Sequence, residues 1–451
     1  MAARASIILA AGQGTRMKSN LPKVMHEVGG RPMIDWAIEL AKSAGCERIV
    51  VVLSPMQTEL HARIRARLGD GSVAIQSEPL GTGHAALAAK DALQGFEGSA
   101  IVQFGDTPLI PPEPVEALFK EVEVRPAIGV LGFEAADPGA YGRLIETEDG
   151  QLSAIVEAKD ATPEQRSVTL CNSGVMAARA SDMFRLLAQV RNDNAKGEYY
   201  LTDLVALGAV EGVPSTVVRC NEADTLGVNS RAQLAEAEAS FQSRMRQAAL
   251  DRGVTLTCPE TVFFNYDTQV ETDVVIEPNV VFGAGVEVRS GARIRAFSHL
   301  EGAIVSSGCE VGPYARLRPG TVLEERAKIG NFVEVKKTRV GAGAKANHLA
   351  YLGDGEIGAG ANIGAGTIFC NYDGFFKHKT IIGAGAFVGS NSALIAPVSI
   401  GNGAYIGSGS VITEDVDADA LSVARSRQIE KSGWGHVFRE KMSARKAETK
   451  T

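Results

Sequence analysis

The chain has 451 residues, 45% of them hydrophobic and 22% charged, with a net charge of −7. That length supplies two sizeable cores, and the negative balance argues against general nucleic-acid binding, so any phosphate site has to be locally basic. No apolar run is long enough for a membrane-spanning helix, Met1-Ala2-Ala3-Arg4 lacks a signal-peptide layout, and Cys46, Cys171, Cys220, Cys258, Cys309 and Cys370 show no CxxC, as expected of reduced thiols in the cytoplasm.

Ser6 to Ala11 reads as a short apolar strand running into Gly12-Gln13-Gly14-Thr15-Arg16-Met17. Strand, glycine-rich loop and basic residues form a phosphate-cradling arrangement, with a plain tight turn as the alternative. The loop is no Walker motif, and Met17 stands where a dinucleotide fingerprint needs its third glycine. After Pro32, Met33, Trp36, Ala37, Leu40, Ala41 and Ala44 mark one helix face. Ile49 to Leu53 and Ala100 to Phe104 are runs suited to buried parallel strands, the second ending in Gly105-Asp106. Strands alternating with helices predict an α/β layer domain whose ligands bind beyond the carboxyl ends of the strands. A lone aspartate there is also what a turn or helix cap requires. Ser230 and Gln233 predict the start of a linking helix, with Leu234, Phe241, Met245 and Ala248 on one face and Gly253 at its end.

From Val270 to Ile412 apolar residues recur every six positions. The teeth are Val270, Ile276, Phe282, Val288 and Ile294; Val305, Val311, Leu317, Leu323, Ile329 and Val335; Val340, Ala346 and Leu352; Ile357, Ile363 and Phe369; and Ile382, Val388, Leu394, Ile400, Ile406 and Ile412. That period predicts a hexapeptide parallel β-helix of roughly eight coils, about 40 Å long. Gly358, Gly364, Gly383, Gly389, Gly401 and Gly407 follow teeth, which suits tight corners and close packing between coils. The general crossover rule would make the helix right-handed. Two intervals shorten to five residues, Val335 to Val340 and Leu352 to Ile357, and Phe369 to Ile382 lengthens to thirteen. The long break holds Cys370 to Lys379, a polar loop that a regular prism does not need. Arg318 and Lys336 each follow a tooth and lie 18 residues apart, so they stack outward on one edge. His348, between the short breaks, can face an external groove. The bland alternatives are a solubilising surface and an inert histidine. His299, His348 and His378 share no offset that would build a carbonic-anhydrase-like metal site.

Leu9 to Met17 with Pro22-Lys23 is similar to the signature of sugar-phosphate nucleotidyltransferases. Gln76 to Ala85, Phe104 to Asp106, Tyr141 to Arg143, Val156 to Asp160, Cys171 to Gly174 and Gly227 to Arg231 resemble one family of that class, the bifunctional N-acetylglucosamine-1-phosphate uridyltransferase/glucosamine-1-phosphate acetyltransferases. Tyr314 to Gly320, Gly330 to Lys337, Lys345 to Asp354 and Asn362 to Thr367 resemble its acetyltransferase half. The match runs in order along essentially the whole chain.

The resemblance implies an α/β protein with a Rossmann-like nucleotidyltransferase domain (1–229), a linker helix (230–252) and a left-handed parallel β-helix with a C-terminal tail (253–451). It implies Mg²⁺ on Asp106 and Asn229, with Arg16 and Lys23 neutralising phosphate charge. The UTP and UDP-sugar contacts would be Leu9, Ala10, Ala11, Gly12, Lys23, Gln76, Gly81, Thr82, Gly105, Asp106 and Asn229, with Gly142, Glu157 and Asn172 at the sugar. In the second half His348 would be the general base. Arg318, Lys336, Tyr351, Asn362, Asn371 and Lys377 would hold glucosamine-1-phosphate. Ala365, Asn371, Tyr372, Ser390, Ser408 and Arg425 would hold acetyl-CoA, with the Ser390 amide as an oxyanion donor. The implied assembly is a cytoplasmic homotrimer with small-molecule substrates and neither nucleic acid nor membrane as partner. Phe104 stands where relatives often have Tyr, Ser173 where Thr is usual, and Phe375-Phe376 where a small residue and Asn are common, so that loop is expected to pack differently. The alternatives are a monofunctional nucleotidyltransferase whose β-helix only oligomerises it, and a purely structural β-helix. The tail after Trp434 reads as a mobile end.

Overall fold

The computed structural model describes residues 2–194 and 196–449. The chain forms two compact units, the first running to Gln247 and including Phe264–Tyr266, the second holding Ala248–Phe263 and continuing from Asp267.

The first unit is built on strands β1 (Arg4–Leu9), β2 (Arg48–Leu53), β3 (Val73–Ile75), β4 (Ser99–Phe104), β5 (Ile128–Glu134), β6 (Arg143–Glu146), β7 (Leu152–Val156), β8 (Leu170–Arg179) and β9 (Ser215–Cys220). Their order is β9-β5-β8-β4-β1-β2-β3, with β6 on β8 and β7 on β6. β1 is central and parallel to β2 and β4, Ile7 lying opposite both Val50 and Val102. β8 runs antiparallel to β4 and β5, so the sheet is mixed. Ile7, Val50 and Val102 face a layer containing Met183 and Leu186 of a helix at Ala180–Leu187. Ile8, Val51 and Leu53 face Ile34 and Ile38 of α1 (Met33–Ser43) on the other side. Both faces are covered, which is why these strands read as unbroken apolar runs rather than alternating ones. Helix α2 (Arg231–Asp251) begins with Ser230 Oγ accepting from Gln233 N at 3.3 Å, and Gly253 ends it at φ 85°. Ala248, expected on its packed face, is exposed, and Ala249 is buried instead. Along this helix the first unit ends at Gln247, so the face drawn for its packing does not extend to these two residues.

In the second unit every predicted tooth is buried. The parallel pairings run in three columns. One carries Ile276, Ile294, Val311, Ile329, Ala346, Ile363, Val388 and Ile406. A second carries Val270, Val288, Val305, Leu323, Val340, Ile357, Ile382 and Ile400. The third carries Phe282, Leu317, Val335, Leu352, Phe369, Leu394 and Ile412, and adds buried Leu300, which the comb had passed over. The longest ladder has ten strands, beyond the eight coils expected, because Thr255–Leu256 and Leu421–Ser422 extend it at its two ends. The glycines after teeth serve close packing, not corners. None has a positive φ, and a Cβ on Gly358, Gly383 or Gly401 would come within 2.4 Å of a backbone nitrogen in the next coil. The positive-φ positions fall instead on other glycines, such as Gly343, Gly360, Gly385 and Gly403, and on larger residues, such as Phe297, Tyr314, Phe332 and Leu349. The tail is helical from Trp434 to Glu448, with every side chain at least partly exposed.

Candidate active sites

Beyond the carboxyl ends of β1 and β4 lies a cavity of about 300 Å³. Leu9, Ala10, Ala11, Gly12, Lys23, Gln76, Gly81, Thr82 and Asp106 all line it, with Phe104 and Glu198. Glu198 carried no signal in the sequence. Gln76 Nε2 donates to the Gly81 carbonyl at 3.1 Å, and Thr82 Oγ1 accepts from Leu201 N at 3.1 Å. Gly81 has φ 112°, and a Cβ there would lie 2.5 Å from the Tyr199 carbonyl oxygen, so only glycine fits this wall. Gly105 is outside the lining, and a Cβ there would crowd Ile34 at 3.0 Å, Val24 at 3.2 Å and Ala10 at 3.3 Å.

Lys23 Nζ donates to Asn229 Oδ1 at 2.9 Å and to the Asp106 carboxylate. Two oxygen donors from segments far apart in the chain thus converge on one cation. Arg16 is exposed on the loop outside the cavity lining. Gly142, Glu157 and Asn172 form a neighbouring group. Asn172 N donates to the Gly142 carbonyl at 2.8 Å, and a Cβ on Gly142 would stand 3.7 Å from Glu157 Oε1. Burial pushes the Glu157 carboxyl above its ordinary range; Lys196 opposes this, while Asp160 and Glu198 add to it.

The second constellation lies along the β-helix. Leu317 pairs with Val335 and Lys336 with Gly353, so Arg318, Lys336 and Gly353 form one outward column. Arg318 is also held by Glu334 at 2.8 Å. Beside that column Tyr351 OH is 3.4 Å from Asn371 Nδ2, which also donates to Asp354. His348 pairs with Asn331 in the next coil, and Nδ1 lies 2.6 Å from Asn331 Oδ1. Carried two residues past the pairings of Ile363, Val388 and Ile406, the same column continues through Ala365, Ser390 and Ser408. Arg425 lies next to it, its Cδ 3.7 Å from where a Gly409 Cβ would be. Asn362 is half-buried opposite Lys345.

The polar loop folds on itself. Asp373 accepts from Phe375 N at 2.7 Å, Phe376 N at 2.6 Å and His378 Nε2 at 2.6 Å. These bonds, the Phe376 amide first, hold the Asp373 carboxyl well below the usual carboxylate range. Tyr372 bridges to Lys377, whose Nζ sits 4.0 Å from the Tyr372 ring centroid, while Phe375 and Phe376 are exposed at the tip. Asn331, Glu334 and Asp354 were missed in the sequence. Asn331, Glu334 and Asp354 stand one 17-residue coil before His348, Tyr351 and Asn371 respectively, a spacing the five-residue breaks already contained.

Residues 6–196 match the MobA-like NTP transferase domain, and residues 379–414 match the bacterial transferase hexapeptide of six repeats. The chain is 63% identical to the bifunctional protein GlmU of Hyphomonas neptunium, over 98% of this chain and 96% of that one. It is 53% identical to that of Azorhizobium caulinodans over 96% of each chain, and 52% identical to that of Sphingopyxis alaskensis over 98% of each. The chain belongs to the GlmU family. A GlmU protein is a bifunctional uridyltransferase and acetyltransferase, which sets aside the reading of the β-helix as a mere oligomerisation device. No helix among the described residues is long and apolar enough to cross a membrane.

Proposed function

We propose that the two constellations catalyse consecutive transfers. The second unit N-acetylates glucosamine-1-phosphate from acetyl-CoA. The first then joins N-acetylglucosamine-1-phosphate to the uridylyl group of UTP, releasing pyrophosphate. The product, UDP-N-acetylglucosamine, serves peptidoglycan and lipopolysaccharide synthesis in the cytoplasm. The observation that carries the first half is the convergence of Asp106 and Asn229 on one cation beside the cavity at the carboxyl ends of β1 and β4.

Uridyl transfer sets one anion against another, so catalysis is charge neutralisation and in-line positioning. A carboxylate and an amide oxygen aimed at one point fit Mg²⁺, which favours oxygen donors. When bound, it would neutralise charge on the nucleotide phosphates. The Gly12 loop supplies backbone donors, Lys23 and Arg16 supply cations, and Gly142, Glu157 and Asn172 orient the sugar.

For acetyl transfer, the sugar amine attacks the thioester carbonyl carbon, forming C–N. The carbonyl oxygen becomes an oxyanion facing the Ser390 amide. The C–S bond then breaks and coenzyme A leaves as thiolate. His348 takes the amine proton and passes it to the thiolate. Arg318 and Lys336 hold the sugar phosphate, with Tyr351, Asn362, Asn371 and Lys377 around the ring. Tyr372, Ala365, Ser408 and Arg425 contact coenzyme A. A lone prism offers only shallow grooves, so we place the working site between prisms of a homotrimer. The test is an assay with glucosamine-1-phosphate, acetyl-CoA, UTP and Mg²⁺, leaving out one at a time. Omitting acetyl-CoA should abolish all product from glucosamine-1-phosphate. Omitting UTP or Mg²⁺ should leave N-acetylglucosamine-1-phosphate accumulating. UDP-N-acetylglucosamine formed without acetyl-CoA would refute the scheme.

A further inference from the structure

We infer that Asn331 is a positioning residue for acetyl transfer, fixing which nitrogen of His348 is free to act as the base. The inference rests on His348 being that base. The observation is the 2.6 Å separation of His348 Nδ1 and Asn331 Oδ1. An amide oxygen can only accept, so this contact requires the proton on Nδ1. In the neutral ring the lone pair is then on Nε2, and His348 is exposed, so a substrate amine can reach it. Without the contact the other tautomer, with Nε2 protonated, competes and cannot take a proton there.

The coil geometry enforces the pairing. Asn331 and His348 are register partners, and Leu349 N donates to the Asn331 carbonyl at 3.0 Å. Gly330 admits this close approach, because a Cβ there would sit 2.0 Å from the Asn347 carbonyl oxygen. Position 330 therefore has no room for a side chain, and the strand carrying Asn331 is drawn against the strand carrying His348. The orienting group is neutral. A carboxylate in the same place would stabilise the imidazolium and shift the ring toward its protonated form. An amide orients without that cost, and it cannot itself take the Nδ1 proton. The amine proton therefore travels only through Nε2.

The charged and titratable groups on the strands packed around His348 are few. Lys328 is held by Glu310 at 3.4 Å, Lys345 lies on His348's own strand, and Glu334, opposite Tyr351, is held by Arg318. On the far side the column meets Ala365, which carries no charge. No carboxylate other than an introduced one stands at the Asn331 position, so a change there is readable in the pH profile.

The experiment measures acetyl transfer by the full-length enzyme from pH 5.5 to 9 in wild type, Asn331→Ala and Asn331→Asp. His348→Ala is run alongside, and uridyl transfer serves as the folding control. Asn331→Ala should lower kcat on the order of ten- to a hundredfold, the range seen when a metal-bound histidine loses its orienting partner, with KM for both substrates nearly unchanged. Asn331→Asp should recover most of kcat at high pH while its ascending limb moves up by about one pH unit. An unchanged kcat and pH profile in Asn331→Ala would overturn the inference. So would an Asn331→Asp limb that stays put or moves down. If His348→Ala kept full acetyl transfer, the base assignment itself would fail, a separate outcome.

Discussion

The Lys23 ammonium donates to the Asn229 amide oxygen at 2.9 Å and also to the Asp106 carboxylate. Its side chain is 13% exposed and that of Asp106 16%, so this is a largely desolvated contact. One lysine thus holds both proposed metal ligands. A divalent cation on those oxygens would compete with the ammonium for them, and nucleotide phosphate oxygens are its other anionic partners. Nucleotide-free wild type should therefore bind Mn²⁺ weakly by electron paramagnetic resonance titration. Lys23→Met, which removes a positive charge beside the ligands, should bind it at least about tenfold more tightly while losing uridyl transfer. Equal Mn²⁺ affinity in both proteins would refute the competition.

Glu157 should show a trade between stability and activity. Burial raises its carboxyl in the folded protein. Its contribution to stability is therefore full below the unfolded value and is lost as pH rises through the raised folded one. At neutral pH the carboxylate is a cost that Glu157→Gln removes. That variant should melt higher than wild type at pH 7.5, with the gap narrowing toward pH 5, and its KM for N-acetylglucosamine-1-phosphate should rise. A lower melting temperature at pH 7.5 would contradict the sign.

Phe264–Tyr266 belong to the first unit although they follow the helix. Gln242 accepts from Phe264 N at 2.8 Å and donates to its carbonyl at 2.7 Å, and Arg31 lies 3.8 Å over the Tyr266 ring. A fragment ending at Arg252 loses these contacts and one ending at Asp267 keeps them. Both should catalyse uridyl transfer and neither acetyl transfer. The longer should melt roughly 5 °C higher, from two hydrogen bonds of about 1 kcal/mol each. Equal melting temperatures would show that the segment does not brace the unit.

The β-helix was legible because one inward side chain per strand leaves an unambiguous period, and every tooth from Val270 to Ile412 is buried. Its ends were not, since Leu256 and Leu421 stand outside the regular comb. The antiparallel strand Leu170–Arg179 was equally silent, because a strand buried on both faces carries no mark of direction. Residues such as Gln76 and Thr82 were found through motifs. Asn331, Glu334 and Asp354 lie inside resembling stretches but were given no role, although the 17-residue ruler was present. Period fixes which residues are neighbours, but which neighbours bond depends on side-chain reach. The Asp373–His378 clasp, at 2.6 Å, likewise exists only once the loop has closed.

The trimer reading predicts shared acetyl-transfer sites. Mixing His348→Ala chains with Arg425→Ala chains under subunit exchange should restore acetyl transfer, because some interfaces then carry neither change. No recovery, with exchange verified, would place each site within one chain.

Product analysis of Asp106→Ala and His348→Ala tests most directly whether two independent active sites act in sequence. Supplied with glucosamine-1-phosphate, acetyl-CoA and UTP, Asp106→Ala should accumulate N-acetylglucosamine-1-phosphate, its uridyl transfer down by orders of magnitude. His348→Ala should make UDP-N-acetylglucosamine only when N-acetylglucosamine-1-phosphate is provided. Loss of both activities in either folded variant, or UDP-N-acetylglucosamine made by His348→Ala from glucosamine-1-phosphate, would contradict two independent sites.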